Sequence, residues 1–509
     1  MHLARNTPRN RRMIHPTTLW LLLAGSLTAL AQPACASTVT IALAGEINTF
    51  DPDQTNSIGT DLSVMSNIYP SLLLRAPDGT LVPSLATQWH AGSDTVWHFT
   101  LRAGARFTDG EPIDAQTVKW NIQRILNRQK VTPVASWYAQ IADVQVISPT
   151  QLDIRTSSPY PALPAQLSMM FLLPPEWART HDPAHEVSSG GPYIVDEIVP
   201  GDHVSLHANP DYYGPRPAFD RVIYRIIPET NTALYALQAG EVDYVSKFPT
   251  NQIGQINSHG GATAGAVPSS RTVFIKLNTE KPPFDNAQFR QALNYAIDKQ
   301  TIADTIFDGH ATPSGCEVLT PDYFGYNRDL PGYGYDPQRA RRLIAESGVD
   351  LSRPFEFDIP RGSYLQGEEV ALAIQAMFNA VGIRTRIRMI DFATYLARYR
   401  KAHDLSPVSL LGQAWPTLDA AGFLKLFQTG NAYSYWSDPT FDAALKAGES
   451  TLDQTMREQA YAAATRTMCT QAPVVFLYIE PATYAYSKRI SLVPRGDGWV
   501  RAFDMKPAR

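Results

Sequence analysis

Along this chain the apolar and polar positions change rhythm repeatedly, and each rhythm predicts an element. Thr38–Ala44 alternates with period two, as a half-buried strand does. Val96–Leu101 alternates likewise, placing Trp97, Phe99 and Leu101 on one face. Asp109-Gly110 marks a turn, and Asp114 stands as N-cap to a helix carrying Val118, Ile122, Ile125 and Leu126 on one side. Strands are predicted within 191–210 and 220–227, and a helix with Ala233, Leu234 and Leu237 inward ends near Gly240. An apolar strand at Val273–Leu277 then runs into Asn278-Thr279-Glu280-Lys281-Pro282-Pro283, whose prolines make it the best candidate boundary. Beyond it the pattern turns helical. A long amphipathic helix is predicted over Asp285–Phe307, and another opens at Asp336-Pro337 and closes at Gly348. Further helices are predicted at Glu368–Val381, Asp391–Arg400, 439–448 and 455–468, with strands at Arg384–Ile390 and Val474–Tyr478. The alternation argues an α/β architecture.

At 509 residues the chain exceeds what one core supports, so two or three lobes are expected. Its 44% hydrophobic content excludes a disordered chain, and a mean hydropathy of −0.20 excludes a multi-span membrane protein. A net charge of −4 gives no basic face for nucleic acid. The first 36 residues have their own logic. Arg5, Arg9, Arg11 and Arg12 precede the apolar run Leu19–Ala31 and the small-x-small site Ala34-Cys35-Ala36. That order reads as a secretory signal peptide, and the run falls short of the ~20 residues that span a bilayer. Cleavage after Ala36 leaves a mature chain from Ser37 with a net charge of −8. Lipid anchoring at Cys35 is the competing reading, although of Gln32, Pro33 and Ala34 only the alanine suits a lipobox. Cys316 and Cys469 then remain, either paired in an oxidising compartment or as two separate buried thiols.

No enzyme signature is present: there is no G-x-S-x-G, no H-E-x-x-H and no G-x-x-x-x-G-K-[ST]. Gly332-Tyr333-Gly334 lacks the third glycine of a dinucleotide loop. His181 and His185 have a metal-compatible helical spacing, yet Pro183 lies between them, which favours an exposed loop.

An ordered series of motifs resembles family 5 of the extracytoplasmic solute-binding proteins, the peptide/nickel/opine group that feeds ABC importers. It runs through Leu81-Val82-Pro83-Ser84-Leu85-Ala86-Thr87-Gln88-Trp89, Trp97–Arg102, Phe107-Thr108-Asp109-Gly110 and Gly190-Gly191-Pro192-Tyr193. Asn209-Pro210-Asp211-Tyr212-Tyr213-Gly214, Leu277-Asn278-Thr279 and Arg290–Asp298 continue it. The resemblance implies a two-lobed periplasmic binding protein fold (type II), with an extra subdomain in the first lobe and a ligand cleft between lobes. On this reading lobe I is 37–277, with the subdomain at about 85–190, lobe II is 278–480, and 481–509 returns to lobe I. The crossings fall near Phe274–Thr279 and Phe476–Pro481. It further implies a monomeric periplasmic protein without a cofactor, partnered by ABC permease and ATPase subunits. A secreted enzyme, and a sensor or chaperone-like role, are the competing classes.

In peptide-binding relatives an arginine holds the ligand carboxylate and an aspartate holds the α-amine. Arg361, in Pro360-Arg361-Gly362-Ser363-Tyr364, resembles that arginine, whose fork suits both carboxylate oxygens. A surface arginine paired with a nearby acid is the plain alternative. Gly412–Asp419 aligns with the amine-binding segment, but Pro416 occupies the aspartate's place and Asp419 matches a later, structural aspartate. Trp415 stands two positions beyond the segment's usual tryptophan, which is Gln413 here. The expected ligand residues are Arg361, Tyr364, Trp415, Asp419, Tyr433 and Trp436, with Tyr435 in the same aromatic cluster. The expected ligand is a small peptide or peptide-like carboxylate; an opine, a glutathione-like compound and a nickel chelate are the alternatives.

Overall fold

A computed structural model describes residues 37–127 and 134–508. The expected signal peptide, with Cys35, lies outside the described residues. Eleven strands form one mixed sheet. In spatial order they are Thr385–Ile390, Phe355–Pro360, Val408–Gln413, Ala262–Leu277, Val474–Ser487, Tyr244–Ser246, Thr38–Leu43, Arg221–Ile226, His203–Ala208 and Tyr193–Val199, with Thr312–Pro313 lying beside Val474–Ser487. A separate four-stranded antiparallel sheet runs in the order Ala86–Ser93, Val96–Leu101, Gln151–Thr156, Ile141–Ser148. Helix Ala115–Asn127 packs Val118 and Ile122 against Phe99, Leu152 and Ile154 of that sheet.

Two long antiparallel strands, Ala262–Leu277 and Val474–Ser487, lie in the middle of the large sheet. Their pairing runs from Ala262↔Ser487 to Pro268↔Pro481, breaks, and resumes at Thr272↔Ile479. The break has a chemical cause. Neither Pro268 nor Pro481 carries an N–H, so the ladder cannot continue through that pair. On one side of the break the partner strand is Tyr244–Ser246; on the other it is Val408–Gln413. Phe355–Pro360 runs parallel to both Thr385–Ile390 and Val408–Gln413, and Thr38–Leu43 runs parallel to Arg221–Ile226 and Tyr244–Ser246. The registers Thr272↔Gln413 and Ser246↔Tyr484 aim the carboxyl ends of both groups toward the break.

The apolar core is divided in the same way. Val39, Ile41, Leu206 and Tyr224 belong to one cluster, and Val273, Ile275, Phe357 and Leu410 to another. Alternate residues of the long strand face the other way, so Phe274 packs with Leu411, Phe423 and Phe476.

The helix expected over Asp285–Phe307 is two helices, Ala287–Tyr295 and Lys299–Ile306. Asp298 interrupts them because its carboxylate accepts from the backbone N–H of Thr301 at 2.9 Å, capping a new helix. The strands expected at Val273–Leu277 and Val474–Tyr478 are the ends of much longer ones, since prolines and small residues mask their extension. Gly240 and Gly348 end their helices in the left-handed conformation, as expected.

Cys316 and Cys469 form a disulfide, with Cα atoms 5.1 Å apart and a sequence separation of 153 positions. It ties the segment after Thr312–Pro313 to the helix Gln454–Gln471. Replacing both cysteines by serine should lower unfolding stability by about 2–5 kcal/mol. Urea denaturation of oxidised wild type and variant reads this directly; superimposable curves would contradict the bond's stabilising role.

Candidate functional site

The carboxyl ends that meet at the ladder break carry a concentration of polar and aromatic groups. Such ends are where open α/β sheets offer space to ligands. Arg271, inside the break, places its Nε 3.2 Å from Glu480 of the facing long strand and donates from Nη1 to Gly412 O at 3.1 Å. Glu480 also accepts the backbone N–H of Leu365 at 2.9 Å, fixing the segment that follows Phe355–Pro360. Burial raises the Glu480 pKa, opposed by Arg271, the Leu365 N–H and Lys247. Lys247 follows Tyr244–Ser246 and is exposed, with a positive φ of 60°.

Arg361 and Tyr364 lie in that segment. Arg361 is exposed, and its backbone N–H bonds to Ile390 O at 2.9 Å, which fixes the chain while leaving the side chain in solvent. Tyr364 is buried, and burial pushes its phenol up to about 12. The guanidinium carbon of Arg271 stands 6.0 Å from its ring centre. A β-carbon at Gly412 would fall 2.6 Å from the Tyr364 ring, so glycine is required for this ring to lie on the strand.

Trp415 lies just past Val408–Gln413, where its N–H donates to the Tyr323 hydroxyl at 2.5 Å. That hydroxyl also lies 3.2 Å from the carbonyls of Ser270 and Trp415, so Tyr323 pins the Trp415 turn to the ladder break. The Trp415 ring lies over Gly422, where no larger residue fits. It also meets Trp137 edge-on, at 6.4 Å between ring centres. Arg75 makes a second bridge, donating from Nη2 to Thr417 O at 2.9 Å. A groove of about 300 Å³ adjoins these contacts, lined by Arg75, Trp89, Asp322, Phe324, Thr417 and Arg457 among others.

Three of the expected ligand residues are thus drawn to one end of the sheet: Arg361, Tyr364 and Trp415. The other three are placed elsewhere or already engaged. Asp419 accepts from Ala421 N–H at 3.0 Å as a helix cap and pairs with buried Arg457 at 2.5 Å. Its charge is neutralised within the protein. Tyr433 and Trp436 belong to a core around Lys276, four residues along the long strand from Thr272 and therefore about 13 Å away. Lys276 Nζ donates to Tyr433 O and to the Tyr399 hydroxyl, under the rings of Tyr399, Phe427 and Tyr435. Burial lowers its pKa to about 7. Trp436 is 5% exposed and packs on Phe441 at 5.0 Å. The aromatic spacing that suggested a ligand wall instead encloses a lysine.

Arg271, Glu480, Lys247 and Tyr323 carry no local motif, and only the strand pairing brings them together. The exposed His181 uses Nδ1 on the Trp177 carbonyl at 3.0 Å. Among the described residues no group of three or more His, Cys, Asp or Glu is placed to hold a metal ion.

Comparison with known proteins adds an independent line. The family model "Bacterial extracellular solute-binding proteins, family 5 Middle" matches residues 80–435. The chain is 28% identical over 481 residues to "Probable di/tripeptide-binding protein 5" of Pseudomonas aeruginosa, covering 87% of this chain and 90% of that protein. It is 26% identical over 496 residues to "Glutathione-binding protein GsiB" of Salmonella paratyphi A, covering 93% and 96%. It shares its fold with the ABC transporter substrate-binding protein CtaP of Listeria monocytogenes, at TM-score 0.84 and 21% identity, covering 93% of this chain and all of that one.

Arg75→Ala removes a buried hydrogen bond from a charged donor, worth about 1.5–3 kcal/mol. Small-angle scattering should show a larger radius of gyration for the variant than for wild type. Identical curves would show that this contact does not hold the two parts together.

Proposed function

The chain belongs to the bacterial extracellular solute-binding proteins of family 5, and we propose that within this non-enzymatic family it captures a small peptide-like carboxylate for import by an ABC transporter. The observation that carries the choice of ligand is the charge balance at the ladder break. Arg271, Lys247 and Arg361 reach the same sheet end from three elements, and with Arg271 paired to Glu480 the exposed Lys247 and Arg361 remain. Of the acids nearby, Glu480 is engaged by Arg271 and the Leu365 N–H and Asp419 by Arg457, while Asp322 beside Tyr323 is exposed. Pro416 stands where the resemblance expects an amine-binding aspartate and has no side-chain group to bind a cation.

A ligand recognised here is held chiefly by its carboxylate, through the exposed Arg361 guanidinium, with Tyr364 and Trp415 as the neighbouring apolar surface. A free α-amine contributes little. The names of the two relatives, a di/tripeptide-binding and a glutathione-binding protein, are compatible with ligands of this size and charge. Closure of lobe I onto lobe II would enclose the ligand by bending at Pro268–Thr272 and Ile479–Pro481, which puts the lobe boundary ahead of the expected residue 277, since Val273, Ile275 and Leu277 pack with Phe357 and Leu410. The loaded form delivers it to permease and ATPase subunits, after export to the periplasm by residues 1–36.

Calorimetry with glutathione and with short peptides that are free, N-acetylated or C-terminally amidated tests this reading. N-acetylation should leave affinity within a few-fold, whereas amidation should abolish binding. Arg361→Ala should weaken binding at least ten-fold, about 1.4 kcal/mol. Unchanged affinity in that variant, or equal tolerance of amidation, would remove Arg361 from the site.

A further inference from the structure

Beside the ladder break, a contact between side chains joins the two strand groups independently of the long strands. Thr250, buried at the start of the turn Thr250–Gln252, donates its backbone N–H to Gln366 Oε1 at 3.2 Å and its hydroxyl to the same oxygen at 3.1 Å. Asp308 Oδ2 lies 3.4 Å from that hydroxyl. Each partner is held on its own side of the break. The Thr483 hydroxyl accepts the Phe248 N–H at 3.0 Å and donates to Phe248 O at 2.8 Å, and Phe248 packs in the cluster of Ala42 and Leu234. Phe307 and Val370, close to Asp308 and Gln366 in the chain, belong to the cluster of Phe357 and Leu410.

Two features mark this contact as more than packing. The Gln366 amide is used at both ends: Nε2 donates to Ile306 O while Oε1 faces the Thr250 N–H. Its partners therefore fix its orientation, and neither a carboxylate nor a hydrocarbon serves both of them. The same side chain makes no cap for the helix Gly367–Ala380 that starts beside it. The second feature is in the backbone. Of the six non-glycine residues with positive φ among the described residues, three meet here: Lys247 at 60°, Asp308 at 50° and Gln366 at 50°. Such a conformation is disfavoured by any β-carbon, persists only where the surroundings impose it, and recurs at ligand clamps and switches. Gln366 also ends the segment that carries Arg361 and Tyr364, just after Leu365, whose N–H is held by Glu480 at 2.9 Å.

We propose that Gln366 is a positioning residue for the solute site: its bonds to Thr250 hold the two strand groups together before a ligand arrives, and fix the Arg361–Leu365 segment for the ligand carboxylate. The inference rests on the reading of Arg361 given above and adds to it the group that sets Arg361 in place. Preorganisation of this kind removes an ordering cost that the ligand would otherwise meet on binding.

Spin labels on Tyr235→Cys and Leu372→Cys, exposed positions of helices packed on opposite sides of the break, report the separation of the two groups by double electron–electron resonance. Gln366→Asn keeps the amide and suits a left-handed backbone while falling one methylene short, and Thr250→Val removes only the hydroxyl. In ligand-free protein each should move the distribution to longer distances, and the double variant no further than Gln366→Asn alone. Hydrogen exchange of residues 361–365 should be about five-fold faster in Thr250→Val, the opening expected from one lost hydrogen bond. A purely local role for Gln366 would leave that exchange unchanged, because Thr250 is anchored across the break. Wild-type distances in both variants, or wild-type exchange in Thr250→Val, would overturn the proposal. Neither readout needs a ligand, so a wild type that binds neither glutathione nor a short peptide would sink the ligand reading while these two results still decide the clasp.

Discussion

The antiparallel pairing of Ala262–Leu277 with Val474–Ser487 is the constraint on which the rest of the structure depends. These strands are long enough to serve two groups of parallel strands at once, with one partner set on each side of Pro268 and Pro481. A uniform ladder would make one stiff, flat sheet. The facing prolines interrupt it, and Ser269–Arg271 are left outside the pairing. The polar groups of the proposed site are organised around that interruption. Arg271 lies within it, Glu480 faces it, and Tyr323 reaches it through the Ser270 carbonyl.

Electrostatic order follows from the same geometry. Most charges are compensated internally: Arg457 with Asp419, Lys276 with an aromatic and carbonyl cage, and, beside the break where Gly496 O accepts the Ser270 N–H, Arg495 with Asp497 and Asp504. At the break Arg271 is paired with Glu480, and the exposed Arg361 and Lys247 stand near the exposed Asp322. A protein with more acidic than basic residues thereby keeps two exposed cations, Lys247 and Arg361, where its strands stop.

Much of the fold was legible because it rests on local pattern. The period-two run Val96–Leu101 is a strand with those bounds, and Asp336, Pro337 and Gly348 delimit a helix as capping chemistry requires. Local pattern misled where a single polar residue overrode it, as Asp298 does inside an otherwise continuous amphipathic stretch. The site was legible only in part. Arg361, Tyr364 and Trp415 follow strand ends, which sequence order can locate. Tyr433 and Trp436 pack around Lys276, a placement that sequence could not show because an aromatic cluster looks the same whether it encloses a ligand or a lysine. Arg271 and Glu480 were missed because their partnership spans 209 positions and exists only through strand register.

Intact mass spectrometry of the protein recovered from a periplasm, under native and denaturing conditions, tests the central claim most directly. The account predicts that the native spectrum carries extra mass lost on denaturation, and that the released compounds are small carboxylates of peptide-like composition. Released compounds without a carboxylate would contradict it.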